Sequence, residues 1–190
     1  MCHYDNYYSH CNFQKRQEVK NTNPNASNLQ TFVSELLDAD LLRLRAILDI
    51  ELRRRKIAFS VGEVGEQLAV DFFISTPGLP NLQHAPTGTK NVDGLSRNGD
   101  RYSIKTVCKG KKTGTIYPDS ENSEKQLFEY LLIVQLSESW TLKSIHQLTW
   151  EVFIKVRSWD KRMNAWYVGV SGRTLTAATV IFGYKNKSNG

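Results

Sequence analysis

The stretch Asn91-Val-Asp-Gly-Leu-Ser-Arg-Asn-Gly-Asp-Arg-Tyr-Ser-Ile-Lys-Thr-Val-Cys108 decides how this chain is read. Asn98-Gly99 is a strong turn signal between two runs of strand character, so the stretch is expected to form a β-hairpin. In its second strand, period-two alternation puts Tyr102, Ile104, Thr106 and Cys108 on one face. Arg101, Ser103, Lys105 and Val107 fall on the other. Two registers are open. A two-residue loop at Asn98-Gly99 pairs Asp93 with Ile104 and turns it away from Lys105. A three-residue loop, Arg97-Asn98-Gly99 with Gly99 left-handed, pairs Asp93 with Ser103. The second register brings an acid, a hydroxyl and a lysine to one face, and it is the one expected here.

Outward from the hairpin, Ser60 and Glu63 make an S-x-x-E capping box that predicts a helix running to about Ile74. Its expected buried stripe is Val61, Val64, Leu68, Ala69 and Phe72. Glu66 falls at the edge of that stripe, where a carboxylate can reach inward or remain solvated. Residues 76–90 hold three prolines and two glycines and read as a loop. Beyond the hairpin, Lys109-Gly-Lys-Lys-Thr-Gly114 reads as a basic turn, and Thr115-Ile-Tyr117 as a short strand. Glu129 to Leu136 is a near-continuous apolar run of strand length, as a central strand covered on both faces requires. A neighbouring strand is expected over Thr141–Leu148, with another at Ala165–Val170 and a closing helix at Leu175–Phe182. Trp150–Val156 is open between helix and strand. Leu37, Leu41, Leu44, Leu48 and Leu52 form one apolar stripe in a helical stretch from Leu29 to Lys56, with Asp38 or Asp40 capping a second segment. The run Arg53-Arg54-Arg55-Lys56 complements a helix C-terminus or contacts phosphates.

An Asp, then a Ser-x-Lys on the next strand, with a Glu on the preceding helix, resembles the PD-(D/E)xK nuclease superfamily. Asp93 matches the first acid, Ser103 stands at the second acid, Lys105 matches the lysine, and Glu66 the helical glutamate. Val92 stands where the family often has Pro. The resemblance covers roughly residues 41–136 and implies a restriction-endonuclease-like fold: an α/β domain with a mixed central β-sheet flanked by helices. It also implies Mg²⁺ held by Asp93, Glu66 and the Ile104 backbone carbonyl, with Lys105 orienting or deprotonating the attacking water. The implied activity is Mg²⁺-dependent cleavage of DNA phosphodiester bonds, as in restriction or mobile-element enzymes. A homodimer or a partner subunit would be needed to cut both strands. Lys109, Lys111 and Lys112, with Arg53, Arg54 and Arg55, are the candidate phosphate contacts. Three other readings stay open: a catalytically silent DNA-binding or assembly subunit, a basic protein-interaction module, and a plain cross-strand ion pair between Asp93 and Lys105. Such an ion pair is worth under about 1 kcal/mol.

Composition bounds these readings. The 190 residues suit one domain at 29–185, with tails at 1–28 and 186–190. A net charge of +6 favours a polyanionic partner without demanding one. No apolar run approaches the roughly 20 residues of a membrane span. The first residues lack the apolar region of a secretory signal, and three cysteines, an odd number, argue for a reducing compartment, so a cytoplasmic protein is expected. Cys2, His3, His10 and Cys11 lack usual zinc-ligand spacing, and residues 1–28 read as a loosely ordered tail. The remaining histidines, His84 and His146, are scattered, and no G-x-S-x-G or phosphate-binding loop is present.

Overall fold

A computed structural model of the chain describes residues 24–57 and 60–183. The chain divides into two compact units, residues 1–57 and 58–190. The boundary therefore falls at Ile57, past the helical stretch that the sequence reading joined to the main domain. The Cys and His residues of the first eleven positions lie outside the described residues.

In the first unit, helix α1 spans Pro24–Ser34 and helix α2 spans Asp38–Arg54. Helix α1 takes in positions 24–28, which the sequence reading placed in a loose tail. Proline is tolerated in a first helical turn, where its missing N–H would have no partner, so Pro24 suits the helix start. The break falls at residues 35–37. Asp38 and Asp40 occupy the first turn of α2 and Leu37 the cap position, with no side-chain cap bond. The leucine stripe is present, yet no residue of α2 is buried, and Leu37, Leu41 and Leu48 are exposed.

The second unit is a mixed α/β arrangement around a six-stranded sheet. Helix α3 (Val61–Ser75) is followed by β1 (Leu82–His84), β2 (Gly94–Ser96) and β3 (Arg101–Val107), then β4 (Tyr130–Leu136) and β5 (Leu142–Thr149). Helix α4 (Trp150–Val156), the β6–β7 pair (Arg157–Asp160 and Ala165–Val168), helix α5 (Gly172–Ala177) and β8 (Thr179–Phe182) complete it. The sheet order is β1-β2-β3-β4-β5-β8, antiparallel except between β3 and β4. A parallel neighbour requires a crossover, and residues 108–129 make it without forming a helix.

Both faces of β4 are apolar because both are covered. Leu132, Val134 and Leu136 join Ala69, Val70 and Phe73 of α3 in one core cluster. Leu131 and Ile133 join Phe153 of α4 and Trp166 and Val168 of β7 in the other. The face of α3 is set by a close approach. Gly65 lies against the Thr106 side chain, where a Cβ would come within 2.8 Å of the Thr106 Cβ. The buried line is therefore Gly65, Ala69, Val70 and Phe73, while Val61, Val64, Leu68 and Phe72, expected at its centre, flank it half-buried. A glycine does not register as apolar in a periodicity count, so the expected stripe lies off-centre. Helix α3 covers the Tyr102–Ile104–Thr106 face of β3, so Ser103, Lys105 and Val107 look toward the other side of the sheet.

Three expectations are corrected. The loop at 76–90 contains β1, an edge strand of three residues. The expected strand at 115–117 is a single bridge between Ile116 and Trp166. The expected helix at 175–182 is α5, begun earlier on the Ser171 cap, followed by β8. The β-branched run Thr179-Val-Ile finds a sheet edge at β5, and pairing there outcompetes helix extension. Trp150–Val156 is helical, opened by Thr149, whose hydroxyl accepts from the Val152 N–H. No described helix is long and apolar enough to cross a membrane.

Candidate functional site

The β2–β3 hairpin closes with the three-residue loop. Ser96 and Asp100 face each other: the Ser96 N–H donates to the Asp100 carbonyl at 2.9 Å, and the Gly99 N–H donates to the Ser96 carbonyl at 3.0 Å. Gly99 has φ +89°, a conformation that costs an L side chain but not glycine. Gly94 pairs with Tyr102 and Leu95 with Arg101, so Asp93, one residue before β2, stands opposite Ser103. Its backbone is held on both sides. The Asp93 N–H donates to the Tyr102 carbonyl at 2.8 Å, and its carbonyl accepts from the Ala85 N–H at 3.0 Å.

Three donors converge on one oxygen of the Asp93 carboxylate. The Ile104 N–H reaches Oδ2 at 2.6 Å, Lys105 Nζ at 3.1 Å and the Ser103 hydroxyl at 3.3 Å. Ser103 is fully buried, while the Lys105 and Asp93 side chains are 18% and 26% exposed. The ion pair is thus half-withdrawn from water, where charge-assisted bonds are stronger than at a surface. The other carboxylate oxygen, Oδ1, receives no donor among the described residues. Because the Tyr102 carbonyl faces β2, residue 104, two positions on, turns both its N–H and its C=O toward the same edge. The structure therefore brings together Asp93, Ser103, Ile104 and Lys105.

Glu66 is engaged elsewhere. Its Oε1 lies 3.0 Å from Nδ1 of His84, across the face where α3 covers β1. His84 lies on a strand that the loop reading of 76–90 hid. The signal was the short run Leu82-Gln83-His84, in which Leu82 is fully buried and His84 shares its face. Among the described residues, no group of three or more His, Cys, Asp or Glu side chains is clustered as it would be around a metal ion.

The candidate phosphate contacts are spread over both units. The stretch 109–114 is no free hairpin tip. The Thr113 N–H donates to the Val168 carbonyl at 2.9 Å, and Lys112 bridges to Gly169, so β7 anchors it. Lys112 pairs with Asp160 at 3.3 Å and lies over the Tyr167 ring. Lys109 reaches Glu138 at 3.5 Å, and Lys111 is exposed. In the first unit, Arg54 and Arg55 both grip Glu51, whose carboxyl they hold at about 2, while Arg53 sits in the same last turn of α2.

A second acid–base pair lies on the same face of β3. Arg101 donates to Glu129 through Nη2 at 2.8 Å and Nε at 3.1 Å, and its backbone N–H adds a third bond at 2.6 Å. The guanidinium holds the Glu129 carboxyl below its ordinary value, and the carboxylate raises Arg101. The sequence reading missed this pair, whose members are 28 residues apart. No protein-family model matches the chain, and a search of curated proteins returned no match.

Proposed function

We propose that the Asp93–Lys105 cluster is a phosphodiester-hydrolysing site acting on DNA with Mg²⁺, in a domain of restriction-endonuclease-like type. The observation that carries this reading is the convergence of Ser103, the Ile104 N–H and Lys105 on Asp93 Oδ2, with Oδ1 left open. The order also supports it: a helix bearing Glu66, then a strand edge bearing Asp93, then a strand bearing Lys105. Mg²⁺ is held by one or two carboxylates and keeps several waters. Asp93 Oδ1, which no donor claims among the described residues, and the Ile104 carbonyl are hard oxygens that fit such an ion. Glu66 stands on α3, which covers the opposite face of the sheet from Ser103 and Lys105, and is bonded to His84, so it is not among the oxygens this arrangement offers. A bound Mg²⁺ supplies a water of lowered pKa and neutralises charge on the phosphoryl oxygens. The chain's own residues do the rest. Lys105 sets a fixed cation beside the phosphate and donates to the charge that develops on it. The Ile104 N–H and the Ser103 hydroxyl lock the Asp93 rotamer, so its free oxygen is preorganised. Lys109, Lys111 and Lys112 draw the backbone phosphates to this face of the sheet, and double-strand cleavage takes a second copy or a partner subunit.

A catalytically silent DNA-binding or assembly subunit is the second reading. It is favoured by a buried neutral serine at position 103 and by the commitment of Glu66 to His84. Plasmid nicking with Mg²⁺ or Mn²⁺ separates the two. The first reading expects parent activity that EDTA abolishes and that Asp93→Asn, which keeps a hydrogen-bonding side chain but no charge, reduces at least a hundredfold. A salt-dependent gel shift with no nicking in either metal sinks it and selects the second reading.

A further inference from the structure

We infer that the cavity beside the Asp93 cluster is a subsite for one unpaired nucleotide of the nucleic-acid substrate. The inference rests on reading Asp93–Lys105 as a phosphodiester site. The cavity holds about 780 Å³, within the roughly 300–1,000 Å³ of small-ligand pockets. Its wall includes Lys90, Asn91, Val92, Arg101, Tyr117 and Lys125.

Two chain segments join it to the proposed site. On one side, Asn91 and Val92 immediately precede Asp93, and Arg101 shares the β3 face of Ser103 and Lys105. On the other, the segment 114–117 runs from the site to the cavity. A Cβ on Gly114 would lie 4.0 Å from Lys105 Cδ, and Tyr117 is three residues on. The two sides are tied together, since Asn91 Nδ2 donates to the Tyr117 carbonyl at 2.9 Å. Asn91 takes φ +59°, a conformation asparagine tolerates better than other L residues, and the turn it makes leads into Asp93.

The lining offers one partner for the base and one for the phosphate, and the wall's carboxylate, Asp119, is paired with Lys125. Tyr117 is 48% exposed, leaving its ring accessible for a base to stack on. Lys125 is paired with Asp119 at 3.1 Å and Arg101 with Glu129, but Lys90 has no ion-pair partner among the described residues. Lys90 is thus the cation left for a phosphate. Val92 and Leu127 give the apolar floor on which a flat base can rest. A base within a duplex cannot enter such a concavity, because both its faces are already stacked. The substrate at this site is therefore single-stranded or locally unpaired.

The test is fluorescence anisotropy with the full chain in EDTA, where no cutting occurs. The probes are a fluorescein-labelled 15-mer and its duplex. The expected result is tighter binding to the single strand than to the duplex, with Tyr117→Ala weakening the single strand about five- to a hundredfold. Duplex affinity should stay within twofold, and Tyr117→Phe should restore the single-strand value. Lys90→Gln should lower the slope of log affinity against log salt by about 0.7 on the single strand. Equal losses on both probes, or unchanged single-strand binding by Tyr117→Ala with its melt intact, overturn the subsite. The two readings fail separately. Tyr117-dependent binding by a protein that never nicks DNA removes the catalytic reading and keeps the subsite. Nicking that needs Asp93 but ignores Tyr117 and Lys90 does the reverse.

Discussion

Two acid–base pairs lie four residues apart on one face of β3, and they are built in opposite ways. Arg101–Glu129 is closed. Both carboxylate oxygens of Glu129 are taken, by a two-pronged guanidinium and by a backbone N–H. Asp93–Lys105 is open. Three donors share one oxygen, the other is unclaimed among the described residues, and the lysine has further N–H bonds to give. A structural ion pair gains by saturating its partners, since every unmet polar group costs free energy on burial. A site that must take up a ligand cannot be saturated in advance. The contrast separates a pair that holds β3 to the crossover from one whose second carboxylate oxygen is unclaimed among the described residues.

The largest expected difference is in catalysis. Lys105→Ala should lower nicking at least a hundredfold, within the range that loss of a positioned charge or proton-transfer group produces. Glu129→Gln should lower it no more than its loss of stability accounts for. Rates measured well below both melting temperatures check this, and equal rate losses in the two variants would erase the distinction.

Stability should respond next. Asp93→Ala strips the acceptor from the Ile104 N–H and from Lys105, a half-buried ammonium, and should cost about 1–3 kcal/mol. Asp93→Asn keeps an amide oxygen for the Ile104 N–H and should cost less. Thermal melts of both, free of metal and nucleic acid, decide it. If the alanine variant melts with the parent, the three short contacts contribute nothing to the fold.

The smallest effect is in pH dependence. Glu129 titrates lower folded than unfolded, so the stability it contributes is present above its ordinary value of about 4.3 and is lost as pH falls through the folded value. Arg101 is more than a third exposed, so the contribution is about 1 kcal/mol or less. Acid melts of the parent should therefore steepen below about pH 4.3 relative to Glu129→Gln. His146, buried and held below its ordinary value by burial, weakens both proteins alike from about pH 6.5 downward, so the difference isolates Glu129. Curves that stay parallel from neutral pH down through the acid range, with no convergence, would show that the closed pair does not stabilise the fold.

What was legible in the sequence was local. Asn98-Gly99 specified a left-handed glycine. Alternation in Arg101–Val107 assigned two faces but left two registers open, and the bonds that close Ser96 on Asp100 decided that Asp93 stands opposite Ser103. The S-x-x-E box marked the start of α3, and the apolar run before Leu136 marked a strand covered twice. Each depends on torsional preferences and side-chain periods that act over a few residues. Contacts between distant segments decided the rest. Gly65 against Thr106 rotated the buried face of α3, and His84 took Glu66 through a strand too short to read. Glu129 closed on Arg101 across 28 residues, and Asn91 bound the Tyr117 carbonyl across 26 to wall the cavity. No local preference encodes these pairings, because the loop entropy of bringing such segments together is repaid only by the packed sheet.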